Sequence, residues 1–245
     1  MSGTTSKRDK IIKTGTFVYY YENGNKKSIT NYRLDKKYGE CSEFYDNGNI
    51  KEEGEYTGNY VEAGKSYKLN QYWDENKNHL IIDGNGNYSC GNNKGYIETG
   101  KYKNGFKDGI YEGKSLKHNT SFIEKYENGK FISGTRTFAD NTKSEYSEME
   151  TKPVPKRGMD DFYKFIGRNY RMPKIQGLKG KVYITFVVDK EGKIVEPRVL
   201  RDLGYGTGVE AVRVVTAYDG FIPGEQRGQK VRCSFSLPIS IQSTY

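Results

Sequence analysis

The run Lys181-Val182-Tyr183-Ile184-Thr185-Phe186-Val187-Val188-Asp189-Lys190-Glu191-Gly192 decides how the C-terminal part of this chain folds. Val182, Ile184, Phe186 and Val188 occupy alternate positions, so they share one face of a β-strand. Asp189 to Gly192 reads as a turn, and a second strand is expected over about 193–201, where Pro197 marks an edge or a bulge. Upstream, Met159, Phe162, Tyr163, Ile166 and Tyr170 fall on one face of a helix. Asp160 and Asp161 suit its first turn, Arg168 and Arg171 its end, and Pro173 stops it. Downstream, 208–218 forms a second helix with Ala211, Val212, Val215 and Tyr218 as its buried stripe. A last strand then places Val231, Cys233, Phe235, Leu237, Ile239 and Ile241 on one side. Lys230, Arg232, Ser234, Ser236, Pro238 and Ser240 take the other. The predicted order is α-β-β-α-β: an α+β domain with two helices on one face of a three-stranded antiparallel sheet.

The rest of the chain reads differently. The phrase Tyr20-Tyr21-Glu22-Asn23-Gly24-Asn25 returns as Phe44-Tyr45-Asp46-Asn47-Gly48-Asn49, as Tyr72-Trp73-Asp74-Glu75-Asn76-Lys77 and as Lys125-Tyr126-Glu127-Asn128-Gly129-Lys130. A second phrase lies between them, in Gly54-Glu55-Tyr56-Thr57-Gly58 and Gly100-Lys101-Tyr102-Lys103-Asn104-Gly105. Asn-Gly supplies the positive φ angles of a tight turn, and aromatic flanks suit a pleated surface, so one unit is a β-hairpin. A lone hairpin is marginal in water, so the units must extend a common sheet. The expectation is an all-β antiparallel hairpin-repeat domain, thin or single-layered, with 80–99 as an insertion. This pattern, over residues 15–135, resembles MORN-type repeats in the variant seen in bacterial antitoxin-like proteins.

Composition agrees with a thin fold. Hydrophobic residues make up only 34 % of the 245, yet 22 are tyrosines, whose rings cover a shallow core while the hydroxyls stay wet. The net charge of +9 is uneven: residues 1–150 carry 23 Lys+Arg against 22 Asp+Glu, and residues 151–245 carry 17 against 9. The basic character therefore belongs to the C-terminal part, where it suits an acidic partner, a membrane surface or nucleic acid. Cys41, Cys90 and Cys233 are far apart in sequence and form no CxxC, so they imply no redox compartment. No run approaches the roughly 18 apolar residues of a membrane span, and no signal peptide is visible; as given, the chain reads as soluble. The predicted organisation is a disordered or artificial start at 1–14, hairpin repeats at 15–135, a linker at 136–157 around Lys152-Pro153-Val154-Pro155-Lys156-Arg157, and the α+β domain at 158–245.

The C-terminal domain also carries a family resemblance. Its marks are Gly158-Met159-Asp160-Asp161-Phe162-Tyr163, Tyr170-Arg171-Met172-Pro173, the 180–192 hairpin, Leu203-Gly204-Tyr205-Gly206 before Glu210-Ala211-Val212-Arg213, and Phe221-Ile222-Pro223-Gly224 leading to Leu237-Pro238-Ile239. Together they resemble the C-terminal domain of TonB-type energy transducers of the kind common in Bacteroidetes-like bacteria, with Phe221 where that family often has Trp. The resemblance implies a periplasmic or cell-envelope module that captures a receptor peptide, the TonB box, by β-strand addition, as part of energy-dependent outer-membrane transport. The implied partner is an outer-membrane TonB-dependent receptor, joined by inner-membrane motor proteins if a membrane helix lies upstream. The pairing edge is expected at Gln229, Lys230, Val231, Arg232, Cys233, Ser234, Phe235, Ser236 and Leu237, with Lys230 and Arg232 selecting acidic flanks and Pro238 ending the pairing.

No enzyme chemistry is assembled in the sequence, and no cofactor or small-molecule substrate is implied. His79 and His118 lack companions at metal-ligand spacing. Gly204-Tyr205-Gly206-Thr207-Gly208 opens a helix as a phosphate loop would, but its spacing departs from G-x-G-x-x-G and its strand belongs to an antiparallel hairpin. The alternative reading is a soluble MORN-repeat interaction or antitoxin-type protein without energy transduction. Nucleic-acid binding ranks last, because the C-terminal aromatics fall on predicted core faces.

Overall fold

A computed structural model of the chain describes residues 12–58, 66–92 and 95–243. The chain divides into two units, Met1–Ser147 and Glu148–Tyr245. The start predicted as disordered lies outside the described residues as far as residue 11.

The first unit is a single antiparallel sheet of twelve strands in sequence order. They are β1 (Gly15–Tyr20), β2 (Lys26–Arg33), β3 (Lys36–Phe44), β4 (Ile50–Tyr56), β5 (Tyr67–Trp73) and β6 (His79–Ile82), followed by β7 (Asn85–Asn92), β8 (Tyr96–Lys103), β9 (Phe106–Ser115), β10 (Thr120–Glu127), β11 (Lys130–Thr137) and β12 (Lys143–Tyr146). Within the stretch 80–99, expected as an insertion, the described residues supply β6, β7 and the start of β8, which take their places in the sheet in sequence order.

Two kinds of turn recur in eight of the eleven connections, and these eight segregate. In a meander, odd-numbered connections lie at one end of the sheet and even-numbered ones at the other. At the odd end, Tyr21 N–H donates to the Asn25 carbonyl and Gly24 N–H to the Tyr21 carbonyl, and the same pair of bonds recurs at Tyr45–Asn49, Asp74–Asn78 and Phe138–Thr142. At the even end, Leu34-Asp35, Asp83-Gly84, Asn104-Gly105 and Asn128-Gly129 each place two consecutive residues at positive φ, as a two-residue type I′ turn requires. Here the chain also closes on itself: Leu69 N–H donates to the Gly105 carbonyl, Gly84 N–H to that of Asn70, and Gly105 N–H to that of Gly84. These bonds satisfy the part of β5 that the four-residue β6 leaves uncovered.

One face of this sheet holds a ladder of rings, with Tyr72–Tyr88, Tyr88–Tyr102, Tyr102–Tyr111, Tyr111–Tyr126, Tyr126–Phe131 and Phe131–Tyr146 centroids 4.7–6.2 Å apart. Glycines make room for them: a Cβ on Gly100 would enter the Tyr111 ring, and one on Gly113 the Phe122 ring. The ladder is also polar. Fully buried Glu124 accepts hydrogen bonds from the Tyr126 and Tyr146 hydroxyls at 2.9 and 2.7 Å, and Glu98 from Tyr96 and Lys107.

The second unit contains β13 (Glu150–Thr151), β14 (Val154–Pro155), α1 (Gly158–Asn169), β15 (Lys179–Val188), β16 (Ile194–Arg201), α2 (Thr207–Thr216), β17 (Phe221–Ile222), β18 (Gly224–Gln226), β19 (Gln229–Val231) and β20 (Cys233–Gln242). The main sheet is antiparallel in the order β16-β15-β20. Phe162 and Ile166 of α1 and Ala211, Val214 and Val215 of α2 share one core with Val182, Ile184, Phe186 and Val188 of β15 and Leu237, Ile239 and Ile241 of β20. Phe221 is its hub, fully buried and in contact with the rings of Phe162, Phe186, Tyr218 and Phe235. Gly192 is fixed by this hub. It sits at φ 81° with the Phe221 N–H donating to its carbonyl, and any Cβ there would strike the Phe221 carbonyl oxygen.

Four expectations change. The stretch 136–157 is no linker: it carries the end of β11, β12, β13 and β14, the last of which pairs Val154 with Ile222 and Pro155 with Phe221. Its prolines suggested a tether, but a two-residue pairing tolerates them. The last strand does not run unbroken from Gln229, because β19 pairs with β18 and the chain breaks at Arg232 before β20. On α1, Tyr163 is exposed, while Phe165 packs against the core. On α2, Val214 is fully buried, whereas Val212 is only partly so.

Candidate docking edge

Each β-strand has two edges, and a sheet's two outermost edges are where a foreign strand can add. In the main sheet of the second unit these belong to β16 and β20. They are built differently. The β15–β16 ladder has two register shifts, Glu196 adopts φ 52° and Pro197 follows it, so the β16 edge is bulged and lacks a donor. The β15–β20 ladder runs without a shift from Lys179↔Gln242 to Val188↔Cys233, ten pairs long.

Pro238 fixes which backbone groups of β20 face outward. It stands opposite Tyr183 within this unbroken register. Its nitrogen has no hydrogen, so it must point away from β15. Backbone direction alternates along a strand, which aims Ser234, Ser236 and Ser240 outward as well and turns the odd-numbered residues toward β15. Ser243 obeys the same parity, donating its N–H to the Leu178 carbonyl at 2.8 Å. Among the described residues β20 has no strand partner besides β15. Its outward edge therefore offers N–H and C=O from Ser234 and Ser236, but only a C=O from Pro238.

The residues expected to form the pairing edge fall into three groups. Gln229, Lys230 and Val231 form the hairpin with Gln226, Glu225 and Gly224. Arg232 lies between strands and donates to the Glu196 carboxylate at 2.6 Å, so its charge already has an intramolecular partner; both side chains are about half exposed, and such a pair contributes little. Cys233, Ser234, Phe235, Ser236 and Leu237 form the first half of β20. Phe235 and Leu237 point to the core, leaving the serines on the opposite face. What the sequence did not resolve was the parity at Pro238; the proline itself was the available signal.

The helix entry at Gly204–Gly208 binds its own chain. Asp202 accepts the Gly204 N–H, Thr207 Oγ1 donates to the Gly204 carbonyl, and a carboxylate beside the helix start repels phosphate. Glu210 and Arg213 clamp the two helices. Arg213 makes two bonds to Glu210 and one to the Asn169 carbonyl, while Glu210 accepts the Arg171 N–H. The bond from Arg213 holds the Glu210 carboxyl below the usual glutamate range. Tyr170 reaches the Thr207 carbonyl, and burial pushes its hydroxyl up to about 12.

His79 stacks on Trp73 at 4.3 Å and bonds to Gln71. Among the described residues no three His, Cys, Asp or Glu side chains gather as a metal site requires. Cys41, Cys90 and Cys233 are free thiols, and burial raises the Cys41 pKa to about 11. No helix among the described residues is long and apolar enough to cross a membrane.

Residues 171–240 match the sequence model of the family described as Gram-negative bacterial TonB protein C-terminal. The match starts just after α1 and covers β15, β16, α2 and most of β20. No curated protein and no solved structure matches the chain.

Proposed function

We propose that the second unit is a TonB-like protein-binding module that captures an extended receptor peptide by strand addition to the outward edge of β20. The observation that carries this reading is the ten-pair regular ladder of β20 beside a bulged β16: one edge is fit to template a strand and the other is not. The family match over 171–240 supports the same partner class, an outer-membrane receptor, and a place in the periplasm or cell envelope. Backbone pairing supplies affinity with little demand on peptide sequence, and the basic surplus of residues 151–245 favours acidic peptide flanks. Coupling to inner-membrane motor proteins would further require a membrane anchor on the same polypeptide.

The test is a titration of TonB-box peptides into the isotopically labelled full chain. Amide shifts are expected at Ser234 and Ser236. Ser236→Pro keeps the β15 ladder, because this nitrogen faces outward, and removes one outward donor; binding should weaken about tenfold, on the order of one hydrogen bond. Peptide-induced shifts confined to β16, or full affinity in Ser236→Pro, would refute the assignment.

A further inference from the structure

The first unit has edges too, and one of them is unprotected by any described residue. Natural sheets blunt exposed edges with charge, proline, bulges or short length. In β12, four residues long, Lys143 and Glu145 do this. Glu196 and Pro197 do it in β16, and Pro238 limits β20. The strand β1, Gly15-Thr16-Phe17-Val18-Tyr19-Tyr20, has six residues with no charge and no proline, and among the described residues it pairs with β2 alone. Val18 and Tyr20 are 40 % and 59 % exposed. The inward face of β1 is capped by the chain itself, with Lys13 Nζ 5.1–5.5 Å from the ring centroids of Phe17, Tyr19 and Tyr32. Among the described residues the lateral edge has no such cap.

We infer that this edge pairs with β1 of a second copy of the chain, antiparallel and about a two-fold axis, joining two twelve-stranded sheets. The strand is complementary to itself. Carrying no charge, it brings no like charges together when it meets its own copy. Sheet faces must also match across the junction, inward side chains meeting inward ones, because side chains alternate with period two. This restricts the register to pairs whose residue numbers sum to an even value. Phe17 or Val18 on the axis gives the same overlap, and the Val18 register is favoured because it leaves out Gly15, which has no side chain to pair, rather than Tyr20. Val18 then faces Val18 of the second copy, Phe17 faces Tyr19, and Thr16 faces Tyr20. All are β-branched or aromatic pairs, the kinds that stabilise antiparallel ladders. The inward Phe17–Tyr19 pair prolongs the row in which Phe17 already meets Tyr32 edge-on at 5.3 Å. A junction of only Thr16 to Tyr20 from each copy is small, so the dimer should be concentration-dependent.

Sedimentation velocity of the full chain over a concentration series tests this. The wild type should move from monomer to dimer. Val18→Lys and Val18→Glu should each remain monomeric at concentrations where the wild type dimerises, because each sets like charges on the axis. An equimolar mixture of the two should dimerise again. Hydrogen exchange on the wild type gives a reading independent of any variant's folding: amide protection in β1 should rise at least severalfold with protein concentration, while β12 stays unchanged. A wild type that remains monomeric up to millimolar concentration overturns the inference. So does a dimer indifferent to Val18→Lys, or β1 protection that does not depend on concentration.

Discussion

The two units bury side chains in opposite ways. Among the described residues, the Met1–Ser147 unit has eight buried apolar side chains, four of them tyrosines in a ring ladder that also holds Glu98 and Glu124. The shorter Glu148–Tyr245 unit has fifteen, most of them aliphatic, gathered between two helices and a sheet around Phe221. A single sheet has no second layer to close over it. It gains burial from long flat rings lying across glycines, and tyrosine hydroxyls satisfy the polar groups that the rings cover. A two-layer unit excludes water outright and can use small branched residues. The first design spreads stability along the chain between neighbouring strands; the second concentrates it in one hub.

That contrast can be broken most severely at the hub. Phe221→Ala should cost about 3–5 kcal/mol and lower the unfolding transition of the C-terminal unit in calorimetry, leaving the transition of the repeat unit in place. Next in size is Gly113→Val. A side chain there meets the Phe122 ring, and overpacking of this kind costs about 1–3 kcal/mol, now in the repeat-unit transition.

Acid should separate the units by sign. Burial raises the pKa of Glu52 in the first unit. A glutamate raised by folding contributes stability that is complete below its unfolded value and is lost as pH climbs through the folded one. Glu210 in the second unit is lowered, chiefly by Arg213. Its contribution is complete above the unfolded value and is lost as pH falls through the folded one. Stability measured against pH should therefore change slope in opposite directions in Glu52→Gln and Glu210→Gln; slopes of the same sign would contradict the assignment. The smallest effect belongs to Arg213→Ala. Arg213 is itself 42 % exposed, so the loss should stay under about 1 kcal/mol in denaturant titration.

Much of this was legible in the sequence because it rests on local periods. The alternation in 182–188 gave the central strand of the second unit, and the recurring Asn-Gly phrases gave the hairpins. Pro197 announced the irregular edge. What stayed hidden depended on long-range pairing. Lys152 to Arg157 has the composition of a tether, and only the presence of Phe221 and Ile222 beside it turns Val154 and Pro155 into a strand. Similarly, Gln229 to Ile241 alternates almost perfectly, but the β18 partner claims its first three residues. On α1, periodicity alone ranked Tyr163 with the core, yet a tyrosine at the rim can leave that place to Phe165. As for the proposed docking edge, Gln229 to Val231 belong to a strand separate from Cys233 to Leu237, and the outward parity became definable only with the Tyr183↔Pro238 register.

The segregation of these eight turns has a consequence for how such a chain can change its length. Removing one strand would bring a type I′ sequence to the end of the sheet that uses the longer bulged turn, and would reverse the direction of every strand after it. Removing two adjacent strands with their turns preserves both ends. Growth and loss in this protein should therefore proceed in steps of whole hairpins, and natural variants of different length should differ by even numbers of strands.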